Sequence, residues 1–181
     1  MNVYIKGKKK NNVCLVVPTF HSFEETRKLI RLLQKQTFKN FDLIIVDCGS
    51  DDYKELSKIC SNINIILIHT KENLGGSGSY WLGTKIAYSF GYEYIILSDN
   101  DAYPVSKNLL EKLLDVSKKH PSWVVVPIEK NADNQILHQR LPFHFLVLKR
   151  EIVRRVGFPI KDYFIWGDDC LLYTSPSPRD S

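Results

Sequence analysis

Short, continuous apolar runs alternate with longer stretches of helical period along this chain. Val13-Cys-Leu-Val-Val-Pro18, Phe41-Asp-Leu-Ile-Ile-Val46, Ile63 to Ile68, Tyr94-Ile-Ile-Leu97 and Trp123-Val-Val-Val126 are rich in β-branched residues and lack polar alternation. A strand of that composition is apolar on both faces, as in a parallel sheet covered on each side. His144 to Leu148 reads as a sixth strand. Between the strands, Phe23 to Thr37 carries Leu29, Ile30, Leu32 and Leu33 among charges, and Lys107 to His120 carries Leu109, Leu110, Leu113 and Leu114 on one stripe. Both patterns predict amphipathic helices. Tyr53 to Cys60, Ser77 to Phe90 and Glu151 to Val156 read as further helical segments, and Ser22 ahead of Glu24 and Glu25 reads as a helix start. The alternation predicts an α/β fold, a mostly parallel sheet flanked by helices on both faces. Ligands of such sheets sit beyond the carboxyl ends of the strands, near the point where strand order reverses.

Polar and acidic residues collect at that edge. Thr19-Phe20-His21 follows the first strand, Asp47-Cys48-Gly49-Ser50-Asp51-Asp52 closes the second, and Asp99-Asn100-Asp101 follows the fourth. In an extended segment Asp99 and Asp101 would point the same way, and two carboxylates held together call for a cation between them. Oxygen ligands suit Mg²⁺ or Mn²⁺, which commonly bridge to substrate phosphates. The competing reading is a solvated acidic turn. Asn73-Leu-Gly-Gly-Ser-Gly-Ser79 opens a helix, where small residues and free N–H groups admit an anion; it matches neither a Walker A loop nor GxGxxG. Asp47 could accept from a nucleobase or ribose, since Ser50 and Asp51 already offer a cap to the following helix. Asp168 or Asp169 could act as a general base, or simply start a helix. His21, His69, His120, His138 and His144 show no metal-ligand spacing and read as surface or structural residues.

Composition changes this picture little. With 44% hydrophobic and 25% charged residues, the chain falls in the ordinary globular class. Much of the net charge of +5 comes from Lys6, Lys8, Lys9 and Lys10, which read as a solvated N-terminal tail, with contact to an anionic membrane face left open. No apolar run reaches the roughly 18 residues of a membrane span, and no signal peptide is legible, so the expected location is cytoplasmic, or at the inner face of the membrane. Cys14, Cys48 and Cys60 read as free, buried or half-buried thiols. From Cys170 the sequence changes character: Cys170-Leu-Leu-Tyr-Thr-Ser-Pro-Ser-Pro-Arg-Asp180 resembles one translated frame of a widely used transposase sequencing adapter. Residues 170–181 are therefore read as a non-native tail, and 1–169 as one domain incomplete at its C-terminal end.

Taken together, Val16-Val-Pro-Thr-Phe20, Val46-Asp-Cys-Gly-Ser-Asp-Asp52, Asn73-Leu-Gly-Gly76, Asp99 to Asp101 and Phe164-Ile-Trp-Gly-Asp-Asp169 resemble, in order and spacing, the family 2 glycosyltransferases of GT-A fold. The run around Asn73, together with Asp-Asn-Asp-Ala and Trp-Gly-Asp-Asp, is most similar to the galactofuranosyl- and rhamnosyltransferase-like branch. The resemblance implies an inverting, metal-dependent transfer of sugar from a nucleotide-diphosphate donor, a UDP- or dTDP-sugar, to a glycan or lipid-linked acceptor hydroxyl in polysaccharide biosynthesis, with no nucleic-acid partner. It implies that Thr19 and Asp47 contact the donor nucleoside and that Asn73 and Gly76 lie along its sugar and phosphates. Asp99 and Asp101 would hold Mn²⁺ or Mg²⁺ on the diphosphate, and Asp168 or Asp169 would deprotonate the acceptor. In the family the acidic motif continues to a further acidic residue and a helix; here the adapter-like tail stands in their place. Two alternatives are a non-catalytic nucleotide-sugar-binding domain and a nucleotidyltransferase on a related fold. The second would be expected to carry a Gly-rich basic loop where Thr19-Phe20-His21-Ser22 stands.

Overall fold

The computed structural model describes residues 3–51, 53–59, 61–128 and 143–163. Six strands form one sheet: β1 (Val3–Lys6), β2 (Val13–Thr19), β3 (Phe41–Cys48), β4 (Asn64–Thr70), β5 (Tyr94–Leu97) and β6 (Leu146–Lys149). The helices are α1 (Phe23–Leu33), α2 (Tyr53–Leu56), α3 (Gly75–Ser89), α4 (Leu109–Lys119) and α5 (Arg150–Val156), with a short 3₁₀ turn at Lys161–Tyr163. The spatial order is β1-β4-β3-β2-β5-β6. The inner strands β4, β3, β2 and β5 run parallel, and both edge strands pair antiparallel. Strand order reverses between β2 and β5, because the chain runs outward through β3 and β4 before returning to the other side of β2.

The apolar runs are buried on both faces, as their composition requires. Leu15, Val17, Leu43, Ile45 and Ile96 face Leu29, Ile30 and Leu33 of α1 and Leu110, Leu113 and Leu114 of α4. The alternate residues Val16, Ile44, Val46, Ile66, Ile68 and Leu97 face Tyr80, Leu82 and Ala87 of α3 and Ile152 and Val153 of α5. Helix α3 lies very close to the sheet: a Cβ on Gly83 would sit 2.4 Å from Val16 Cγ1 and 2.9 Å from Val46 Cγ2. Gly83→Ala is therefore expected to destabilise the fold by about 2–3 kcal/mol through overpacking, measured by denaturant unfolding; an unchanged midpoint would show that α3 can lift off β2 and β3 at no cost.

Several boundaries differ from the sequence pattern. The segment carrying Lys6 is not a solvated tail: Val3–Lys6 is an edge strand on β4. The residues after it are pinned by the fully buried Asp42, whose carboxylate accepts from the Lys10 N–H (2.8 Å), the Asn11 N–H (3.2 Å) and side chain (2.7 Å), and the Tyr92 hydroxyl (2.5 Å). Helix α1 stops at Leu33 rather than Thr37, because Gln36 turns inward and serves α4: its Nε2 donates to the Ser106 carbonyl (2.7 Å) and its Oε1 accepts the Leu110 N–H (3.2 Å). That supplies one of the orphan donors of a helix start. The run at Trp123–Val126 makes no strand; only Val125 forms a bridge, exchanging both backbone bonds with Val147. Helix α2 extends only to Leu56. Cys14 and Cys48 are buried free thiols, and Cys60 lies outside the described residues.

Candidate functional site at the strand carboxyl ends

A cleft of about 510 Å³ opens at the carboxyl ends of the parallel strands, where strand order reverses. Thr19 at the end of β2 and Phe20 after it, Cys48 at the end of β3, Asn73 ahead of α3, Gly75, Gly76 and Ser79 in its first turns, and Asp99 and Asn100 after β5 line it. Its volume is in the range of small-molecule sites. A larger cleft, about 590 Å³, lies at the opposite end of the sheet beside Lys10, Asn11, Phe41 and Asn64. None of the residues expected to meet a donor lines that cleft, and in parallel sheets ligands bind at the carboxyl end.

Thr19 is buried, and its hydroxyl lies 3.0 Å from Thr26 Oγ1. Thr26 spends its one proton on the Ser22 carbonyl (2.9 Å), so Thr19 donates to Thr26 and keeps its own oxygen as an acceptor. The Asn100 side-chain N–H also reaches Thr26 Oγ1, at 3.3 Å, and so links the loop after β5 to α1. Gly49 adopts φ +87°, and a Cβ there would press on the Lys71 carbonyl at 3.3 Å; the glycine lets the loop after β3 run against the loop that leads to α3. Asn73 Oδ1 accepts the Gly75 N–H at 2.9 Å, fixing the entry into α3. Ser79 donates to the Gly75 carbonyl and meets Cys48 Sγ at 2.9 Å, which ties the first turn of α3 to β3.

Asp99 and Asp101 do not lie in an extended segment. β5 ends at Leu97, and the Ala102 N–H bonds back to the Asp99 carbonyl at 3.3 Å, so the three residues form a tight turn. The premise that the two side chains alternate to one face of a strand is thus replaced by a turn in which Asp99 is half-buried and Asp101 exposed. Asp99 is held on several sides. Its N–H donates to the Phe143 carbonyl (2.8 Å), its Oδ1 accepts the Tyr80 hydroxyl (2.7 Å), and its Oδ2 lies 3.5 Å from His144 Nε2. Among the described residues, no three or more His, Cys, Asp and Glu side chains close into a metal cage. One anchored and one exposed carboxylate are nonetheless a fitting donor set for a hard divalent ion that keeps its waters and completes its shell with substrate phosphate.

Asp47 takes a different place from the one expected. Its carboxylate is fully buried, does not line the cleft, and lies 2.6 Å from His69 Nδ1. The His69 ring in turn stacks on Tyr53, with centroids 3.9 Å apart. Ser50 Oγ accepts the His21 N–H at 2.8 Å, which supports that residue's left-handed backbone (φ 48°). His69 and His144 are therefore parts of the carboxylate network rather than plain surface residues. Asp168, Asp169 and His138 lie outside the described residues. The segment that precedes Asp168 and Asp169 in sequence is joined to α3, since the Ser77 hydroxyl donates to the Ile160 carbonyl. Tyr80, His144, Cys48 and Ser79 were not legible as site residues. Tyr80 reads from sequence as one more aromatic on a helix, and only the fold shows which carboxylate it meets.

Comparison with known proteins bears on this geometry. The family model described as Glycosyl transferase family 2 matches residues 14–170. A galactofuranosyltransferase GlfT1 of Mycolicibacterium smegmatis is 30% identical over 143 residues, which is 79% of this chain and 45% of that protein. The chain thus spans less than half the length of that relative. Among solved structures, a mannosyltransferase of Pyrobaculum calidifontis in complex with GDP-Man and Mn²⁺ superposes with a TM-score of 0.71 at 15% identity, over 92% of this chain and 52% of that one. S. aureus TarS 1-349 in complex with UDP superposes with a TM-score of 0.70 at 17% identity, over 88% of this chain and 53% of that one. These likenesses establish a GT-A fold.

Proposed function

Because the chain belongs to glycosyl transferase family 2, we propose that its cleft binds a nucleotide-diphosphate sugar and that the protein transfers the sugar, with inversion, to an acceptor hydroxyl. The observation that carries this reading is the convergence of Thr19, Asn73, Gly76 and Asp99 on one cleft at the strand carboxyl ends. Thr19 is the last residue of β2, Asp99 stands in the turn after β5, Asn73 precedes α3 and Gly76 lies in its first turn. The bound GDP-Man of one structural neighbour and the UDP of the other support a nucleotide donor.

In this reading Thr19 Oγ1 accepts from the donor nucleoside. Asp47, buried against His69, holds the end of β3 and acts on the nucleoside through the backbone around Cys48. Asn73 fixes the first turn of α3 so that Gly75 and Gly76 present backbone without side chains to the donor phosphates. A divalent cation, Mn²⁺ or Mg²⁺, held by Asp99 and Asp101, would supply Lewis-acid stabilisation of the departing diphosphate. Asp168 or Asp169 removes the proton from the acceptor hydroxyl as it attacks the anomeric carbon. Among the described residues no helix is long and apolar enough to cross a membrane.

Thermal shift tests the donor reading. UDP, GDP and dTDP, each with and without Mn²⁺, are titrated against the chain. A nucleotide at 100 times its Kd stabilises by about 2.7 kcal/mol, which is roughly 5–10 °C in Tm for a chain of this size. No shift with any nucleotide at millimolar concentration would remove the reading. Asp169→Asn is expected to spare that shift while removing sugar transfer; retained transfer would remove Asp169 as the base and leave Asp168 or another group in that role.

A further inference from the structure

Tyr80 is 2% exposed, in the second turn of α3. Its ring packs on Phe143 with centroids 4.3 Å apart, and its hydroxyl donates to Asp99 Oδ1 at 2.7 Å. Phe143 in turn accepts the Asp99 N–H through its carbonyl at 2.8 Å. One aromatic pair therefore grips Asp99 at both its side chain and its backbone. Asp99 stands two residues beyond the end of β5, in a turn that by itself leaves the side-chain torsions free. The phenol removes that freedom by occupying one lone pair of Oδ1, while Oδ2 faces His144 Nε2 at 3.5 Å. Tyr80 also sits five residues beyond Gly75, roughly 7.5 Å along the same helix. Helix α3 packs tightly on β2 and β3 at Gly83, where a Cβ would meet Val16 and Val46.

We propose that Tyr80 is a positioning residue that orients the Asp99 carboxylate for the divalent cation and, through α3, fixes that carboxylate in register with the glycines that meet the donor phosphates. The proposal rests on the metal reading of Asp99 given above. Partners of this kind, bonded to a metal ligand rather than to the metal, typically change metal affinity by about 10–100-fold when removed.

Tyr80→Phe removes the hydroxyl and keeps the ring on Phe143. Mn²⁺ binding is followed by EPR in the presence of UDP, UDP binding is followed by calorimetry in EDTA, and Tm is recorded for each protein. The expected result is about ten-fold weaker Mn²⁺ binding, with UDP affinity in EDTA unchanged and Tm within a few degrees of the parent. Equal Mn²⁺ affinity in the two proteins would overturn the proposal. So would a loss of metal-free UDP affinity together with a large fall in Tm, because that pattern marks a packing role only. Asp99→Asn is run alongside. If the parent chain binds no Mn²⁺, or if Asp99→Asn leaves its binding intact, the metal reading itself falls and the role of Tyr80 falls with it. Loss of binding in Asp99→Asn with none in Tyr80→Phe overturns the role of Tyr80 alone.

Discussion

Asp99→Asn is expected to abolish the Mn²⁺-dependent part of nucleotide binding and to lower sugar transfer by about 10²–10³-fold, the order of loss seen when one preorganised electrostatic group is removed from an enzyme site. The substitution is close to isosteric. Its amide oxygen can still accept the Tyr80 hydroxyl, and its backbone N–H still reaches the Phe143 carbonyl, so the turn and Tm should be kept. What is lost is the negative charge. Asp99→Ala should show the same loss of metal dependence and in addition a lower Tm, because it removes the carboxylate that accepts the Tyr80 hydroxyl, at a cost of about 1 kcal/mol. Comparing the two variants separates charge from support. Asp101 is exposed, so Asp101→Ala should weaken metal binding with little change in Tm. Nucleotide affinity that responds equally to Mn²⁺ in the parent and in Asp99→Asn would remove this carboxylate from the metal site.

The sequence pattern was most informative where burial is two-sided. Val13–Thr19, Phe41–Cys48 and Tyr94–Leu97 are strands because apolar residues on both parities need helices on both faces. The pattern was silent on β1: Val3, Tyr4 and Ile5 are all at least a third exposed in an edge strand, so no alternation marks them. It overstated Trp123–Val126, where Trp123 is 56% exposed and a single residue pairs with β6. The site divides in the same way. Thr19, Asn73, Gly76 and Asp99 line the cleft because each stands at or just beyond a strand end or at a helix start, a position readable from local sequence. Tyr80, His69 and His144 were illegible because their partners, Asp99 and Asp47, are distant in sequence or on a neighbouring strand. Asp47 illustrates the difference between position and accessibility: it does lie near the right end of a strand, but its carboxylate is buried, 2.6 Å from His69 Nδ1.

Asp42, at the other end of β3, is expected to make a large polar contribution to stability. Asp42→Ala should cost about 3 kcal/mol, or roughly 6–12 °C in Tm for a chain of this length. The Tyr92 ring is fully buried, and its hydroxyl would lose the carboxylate that accepts it, while the Lys10 and Asn11 donors would have to turn to water. The effect should also depend on pH. Burial pushes the Asp42 carboxyl up, but the bonds from the Tyr92 hydroxyl, the Lys10 N–H and the side chain and N–H of Asn11 outweigh it and hold the group below the ordinary aspartate value. A folded pKa below the unfolded one means that the stabilisation is fully present above the unfolded value, near 4, and is lost as pH falls through the folded value. Denaturant unfolding between pH 7 and pH 2 should therefore show the parent losing stability below about pH 4, and Asp42→Asn losing less over the same interval. The consequence reaches the cleft. Asp42 pairs with Cys14 at the start of the β2–β3 ladder whose far end pairs Thr19 with Asp47. A chain loosened at Asp42 should bind nucleotide more weakly in proportion to its unfolded fraction, with affinity recovered at lower temperature. Weaker binding that persists when the variant is fully folded would instead mean that Asp42 sets the register of β2 against β3, and with it the distance between Thr19 and the rest of the donor site.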